Sequence, residues 1–379
     1  MITPGTGTNR GASAFEWCVF RTAPLCGLGI AAICGVVAGP SWSISLGPLP
    51  WLISLVVVGL PHGAADLALS RRAWCGTSLV VAWLVYGLTM ACVAVVFMAA
   101  PWLTLAVFLA LSVWHFGWAH AGDDDPAAPG GIVRVASALA HGGVVLGTPL
   151  IAWPAETTDH VTRLLALTHR GHPPFEAGSG AVLTTGLIVG AIGLVSLGVE
   201  VLLTCRRDAA GRRLARLALE TGVFAALGWC TAPLFSVGLS FLAWHGWRQM
   251  ADLANAVVGV RPGSLPRLAR ALARIHGAAI PLLVPTWILI GAAWWMVSER
   301  HTATDLAILS IAAYVVVTPA HELLGHLVRP RTGSAPSDPL GRHPVVTAAV
   351  VQRPSTSRHA PVGLASWSAL GRRSGRTAS

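Results

Sequence analysis

The sequence predicts an all-α, polytopic transmembrane helix bundle with about eight to ten spans. Three observations carry that prediction. Hydrophobic residues make up 54% of the 379, charged residues only 11%, and mean hydropathy is +0.64, where a water-soluble domain carries about a quarter charged residues. Apolar runs of about 18 residues or more, the length that crosses a bilayer, recur from one end of the chain to the other. Sixteen Trp stand against two Tyr and nine Phe, a bias that suits amphipathic rings held at headgroup depth.

Ten windows qualify as spans: 24–39, 49–69, 78–98, 101–121, 132–153, 181–204, 215–234, 235–258, 278–297 and 304–328. The first is short and Gly-rich, and the seventh and eighth are divided only by a bend near Pro233. No internal repeat is visible. Residues 1–23 read as a cytoplasmic N-terminal segment and 24–328 as the transmembrane domain. Residues 329–379 are rich in Pro, Ser, Thr, Gly and Arg with a single acid, Asp338. That segment cannot bury enough apolar surface to fold alone and reads as a disordered, basic cytoplasmic tail.

All 26 basic residues are Arg, because the chain has no Lys. They cluster after the second span (Arg71, Arg72), the sixth (Arg206, Arg207, Arg212, Arg213, Arg216) and the eighth (Arg261, Arg267, Arg270), with more after the tenth. The positive-inside rule then puts both termini in the cytoplasm of a multi-pass cell-membrane protein. The formal charge of +10 reads as contact with anionic lipid and not with nucleic acid. Seven Cys without a CxxC pair read as small core residues and not as disulfides or a zinc site.

The chemistry-bearing residues are the polar ones at bilayer depth. His62, His115, His245 and His321 fall inside the second, fourth, eighth and tenth spans. An ionisable side chain there costs a few kcal/mol or more, so it faces the bundle interior and has a use. A lone buried His is more often a hydrogen-bonded core residue than a ligand. Four are different, since all four spans run in one direction on this topology. His62, His115 and His321 each lie about 10 Å above the cytoplasmic end at 1.5 Å per residue, and His245 lies deeper, with Gln249 one turn below it. Four imidazoles on four helices at similar depth are arranged to converge on a metal.

Local context adds detail. In Leu60-Pro61-His62-Gly63-Ala64-Ala65-Asp66 a Pro precedes the His, and Asp66 one turn on is placed to take the imidazole's second N–H. Trp114-His115-Phe116-Gly117 surrounds the second His with aromatics, and Thr318-Pro319-Ala320-His321-Glu322 repeats the Pro-before-His arrangement. His141, before Gly142 and Gly143 in the fifth span, is a candidate to line the same cavity. His321-Glu322 with His326 imitates a zinc-protease motif, but HExxxH puts the second His well round the helix from the first, where HExxH sets it one turn on.

Leu60 to Asp66, Trp114 to Gly117, Ala232-Pro233-Leu234 leading to Ser240-Phe241 and Trp244-His245, and Pro319 near His321 together resemble the Brp/Blh family. These are bacterial and archaeal membrane β-carotene 15,15′-dioxygenases, and the resemblance runs from about residue 60 to 328. It implies oxidative cleavage of β-carotene at its central double bond to two retinals. It also implies Fe(2+) held by four histidines, one in PHG, one in WHFG and two in an HxxxH pair. His62, His115 and His245 match three of these, whereas Gln249 stands at the fourth position and offers only a carbonyl oxygen. His120 stands about where the family carries an acid. His321 is the remaining intramembrane His in reach of the fourth position.

The expected partners are therefore a hydrophobic carotenoid, O2 and the lipid bilayer, with Trp114, Phe116, Trp118, Phe241, Trp244 and Trp247 as candidate cavity walls. Two readings stand beside this one: a haem- or metal-binding membrane electron carrier with paired His as axial ligands, and a diverged relative without carotenoid-cleaving activity. A retinal photoreceptor is excluded, because a Schiff base needs a Lys.

Overall fold

The structure is a computed structural model that describes residues 14–65, 77–121, 131–168, 178–205, 210–254, 263–298 and 300–328. Contacts divide the chain into Met1–Pro330 and Arg331–Ser379. The second unit, and with it the tail expected from residue 329, lies outside the described residues.

Every described element is a helix. In chain order they are α1 (Ala14–Ala38), α2 (Ser41–Ala64), α3 (Thr77–Ala99), α4 (Pro101–Ala121), α5 (Ile132–Ala152), α6 (Pro154–Ala166), α7 (Ser179–Cys205), α8 (Ala210–Cys230), α9 (233–253), α10 (Leu265–Val297) and α11 (Ala303–Val328). Ten of these answer to the ten windows. Eight of the ten are long and apolar enough to cross a membrane, so the polytopic bundle stands. The other two are α8, which carries Arg212, Arg213, Arg216 and Glu220, and α9, which changes helix type along its length.

Several helices differ from expectation, among them α10, which starts at Leu265 and not near residue 278. Helix α1 starts at Ala14, well before residue 24. The break between α8 and α9 comes at Thr231-Ala232, where Ala232 is extended (φ −56°, ψ 147°). A residue before proline is pushed out of the helical region, and Pro233 then opens the next helix at its first turn. Helix α6 was not expected as a span or a helix. It buries Thr157, Leu164 and Leu165 on one side and turns Asp159 and Arg163 outward, and Arg163 pairs with Asp305 of α11 at 3.8 Å.

Helix α5 is the most buried of the eight spans. It packs so closely on α4 that a Cβ on Gly117 would overlap the carbonyl of Ala138, and one on Gly142 the carbonyl of Val113. Small residues at helix contacts are how membrane bundles bring backbones together. Outer faces stay apolar: Val80, Leu84 and Leu88 of α3 and Ile288 and Leu289 of α10 are exposed, as a lipid-facing surface requires. Cys18, Cys26, Cys34, Cys92 and Cys205 are exposed too. The cysteines expected in the core thus belong mostly to the outer faces.

Candidate metal centre

Irregular backbone carries one of the four histidines and immediately precedes the stretch that carries another. In α2 a π-helical turn, Ser54–Val58, precedes Gly59–Ala64, and the Gly59 N–H donates to the Ser54 carbonyl five residues back. Pro61 has no N–H to give and its ring crowds the preceding turn, and the wider turn just before it accommodates that. The Trp287 indole of α10 braces the turn by donating to the Leu55 carbonyl at 3.0 Å. In α9 the stretch Ser240–Gly246 is π-helical and carries His245. Such wide turns collect at functional sites. His115 and His321 lie on α-helical stretches of α4 and α11.

These four side chains meet. The His115 Nε2 and His245 Nε2 atoms are 2.9 Å apart, with ring centroids at 4.4 Å. His62 lies 5.8 Å from His245 and 5.2 Å from His321, and His321 lies 5.8 Å from His115, centroid to centroid. His62 and His245 are buried. On its other edge the His115 Nδ1 is hydrogen-bonded to the Glu322 carboxylate. Ligand atoms of His115, His321 and Glu322 come within 4.8 Å of one another, and a metal ion fits such a group.

The donor set fits a transition-metal ion. Both ring nitrogens of His62 and Nδ1 of His245 are buried with no hydrogen bond of good geometry; the Val58 and Gly59 carbonyls interact with His62. Buried polar atoms are normally satisfied, so buried ring nitrogens without a well-formed hydrogen bond are suited to a further partner. Two nitrogens each about 2.1 Å from one ion and at right angles to it would be about 3 Å apart, the spacing that His115 and His245 show. Imidazole donors suit Fe, Zn and Cu alike.

A cavity of about 970 Å³, counting its open side, adjoins the cluster and is lined by His62, His115 and His321. Trp51, Met90, Phe108, Phe116, Phe241 and Ile311 supply apolar wall. Trp51 is fixed by its N–H to the Leu234 carbonyl at 2.7 Å. Phe116 and Phe241 lie against His245 at 5.0 and 5.7 Å.

The other four expected wall residues point elsewhere. Trp114 stacks on Trp118 at 4.7 Å, and the Arg134 guanidinium of α5 covers Trp118 at 4.2 Å. The two indoles share one face of α4, about 100° round from the face that carries His115. Trp244 is buried against Phe224 of α8 and beneath Arg248. Trp247 packs on Phe20 of α1 and donates to the Val19 carbonyl at 3.0 Å. His141, also a cavity candidate, packs edge-on against Phe224 at 4.7 Å and does not line the cavity.

Gln249 is half-buried one turn from His245. Among the described residues no hydrogen bond, ion pair or ring contact joins it to the cluster. Asp66 and the side chain of His120 lie outside the described residues. Sequence reasoning missed Glu322 as a partner of His115. Its signal was present, an acid beside an intramembrane His, but it was weighed only as part of a protease motif.

A family model described as beta-carotene 15,15′-dioxygenase matches residues 53–329, nearly three quarters of the chain and all four histidines. The chain belongs to this family. A relative from Halobacterium salinarum, named probable beta-carotene 15,15′-dioxygenase Blh, is 29% identical over 344 residues, covering 82% of this chain and 92% of the relative. The beta-carotene 15,15′-dioxygenase of uncultured marine bacterium 66A03 is 23% identical over 295 residues, covering 74% of this chain and 94% of that protein. No solved structure matches. The family match ends at residue 329, where the basic tail begins.

Proposed function

We propose that the protein is an iron-dependent enzyme that cleaves β-carotene at its central 15,15′ double bond with O2, giving two retinals. The observation that carries this reading is the meeting of four imidazoles from four helices, three of them on the wall of an apolar cavity within a membrane bundle. Membership of the family supports the substrate class.

The roles of the residues follow from the geometry. His62, His115, His245 and His321 are the side chains that would hold the iron. Bound there with open positions left, a ferrous ion would supply the activation of O2 toward an electron-rich double bond. One C=C bond breaks and two C=O bonds form, so each oxygen atom ends in one aldehyde and no outside reductant is consumed. The protein need supply no nucleophile and no general acid. Phe116 and Phe241 press against the cluster and keep the reacting bond in an apolar, water-poor setting. Tyr86 and Met90 of α3 and Leu282 and Thr286 of α10 line the cavity from the two least buried spans. A very hydrophobic substrate therefore enters sideways from the bilayer.

One distance excludes the closest histidine pair as haem ligands. Axial ligands on opposite sides of a haem iron need nitrogens about 4 Å apart, two bonds of about 2 Å, with the macrocycle between them. His115 and His245 are at 2.9 Å.

In cells that accumulate β-carotene, expression is expected to bleach the colour and yield retinal. Unchanged carotenoid with no retinal, in cells whose membranes contain the protein, would leave the reading of a diverged, non-cleaving relative. The same cells test topology, which we assign to the cell membrane with both termini cytoplasmic. A reporter fused after Ser379 should be active only in its cytoplasmic form, and activity on the far side would refute that assignment.

A further inference from the structure

We propose that Glu322 is a positioning residue that orients His115 for the metal. The two nitrogens of the His115 ring have separate partners. Nε2 faces His245 inside the cluster, while Nδ1 meets the Glu322 carboxylate on the outer edge. An ionised carboxylate only accepts hydrogen bonds, so Nδ1 carries the proton in this contact. When the ring is neutral it is thereby held in one tautomer, with its Nε2 lone pair facing His245. A carboxylate behind a metal-bound histidine fixes ring orientation and raises the basicity of the donor nitrogen.

The local sequence explains how one helix reaches the cluster twice. His321 and Glu322 are neighbours on α11, so their side chains leave the helix about 100° apart. His321 turns to His62, and Glu322 passes round to the far edge of His115. A carboxylate at this depth is costly unless it is paired, and Glu322 is only part-exposed. The contact with His115 offsets that cost. It also brings one negative charge next to four imidazoles that contribute none, which favours a divalent cation. The assignment to metal rests on the function proposed above; the tautomer it predicts exists without metal.

The test uses the full-length protein in detergent, with Co(II) as probe, and compares wild type, Glu322→Gln and Glu322→Asp. Glu322→Gln is expected to weaken Co(II) binding about 10- to 100-fold, the usual cost of losing such a partner, and Glu322→Asp to recover part of it. In metal-free protein carrying 15N-labelled histidine, His115 is identified by the signal lost in His115→Gln. It should be a pure Nδ1–H tautomer in wild type and a mixture in Glu322→Gln. Unchanged tautomer and affinity in Glu322→Gln would overturn the proposal. So would a Co(II) spectrum showing loss of a bound carboxylate, since Glu322 would then be a ligand. Failure of wild type to bind Co(II) would count against the metal reading, and the tautomer measurement would still decide the role of Glu322.

Discussion

Replacing His245 with alanine is expected to remove iron and carotenoid cleavage together, by on the order of 100-fold or more in affinity, since loss of a partner one shell further out already costs 10- to 100-fold. His245 is the most enclosed of the four, stacked on Phe241 and edge-on to Phe116 and His62, with Nε2 against His115. The control is His141→Ala. His141 is 6% exposed and His245 4%, so both substitutions remove a buried imidazole. Yet the His141 ring packs on Phe224 and Trp244, away from the cavity. Elemental analysis of the purified proteins should therefore find iron in His141→Ala, as in wild type, and little in His245→Ala, His62→Ala or His115→Ala. Iron retained in His245→Ala at the wild-type level would remove it from the site.

The membrane class and the four histidines were legible because each depends on one local property. Hydropathy summed over 18 residues finds a span whatever the helix does inside it. A histidine within such a window is conspicuous because the bilayer penalises it. Their convergence followed from depth alone, since residues level in parallel spans need only rotation to meet.

Rotation is what the sequence did not disclose. The π-helical turns at Ser54–Val58 and Ser240–Gly246 insert extra backbone per turn, and an apolar window cannot register that. The aromatics around His115 and His245 could not be sorted into wall and packing without it. Phe116 and Phe241 face the cavity, while Trp114, Trp118, Trp244 and Trp247 are held by Arg134, Arg248, Phe224 and α1. Trp51 and Tyr314 complete the wall from helices more than 250 residues apart in sequence, a proximity that no local pattern encodes. Helix α6 was missed because its apolar residues are few and lie on one side.

The departure at Gln249 gives the second large effect. On the four-histidine pattern that the Brp/Blh resemblance implies, His62, His115 and His245 would fill three positions, and the fourth would carry the Gln249 amide, a weaker donor to iron than imidazole nitrogen. His321 already stands 5.2 Å from His62 and 5.8 Å from His115 by ring centroids, in position to replace the missing ligand from a different helix. Wild type should thus depend heavily on His321, and His321→Ala is expected to lower iron affinity by on the order of 100-fold, the loss of a ligand and not of its support. Gln249 is one helical turn from His245, close enough for a histidine there to reach the same ion. Gln249→His should therefore raise iron occupancy and, with it, the rate of β-carotene loss. The two substitutions then form a cycle whose coupling is measurable. His321→Ala should cost several-fold less in the Gln249→His background than in wild type, because two donors now compete for one coordination position. Equal costs in both backgrounds would mean that the two residues do not share a position. A Gln249→His protein with less iron and less activity than wild type would show that the amide itself is suited to this site.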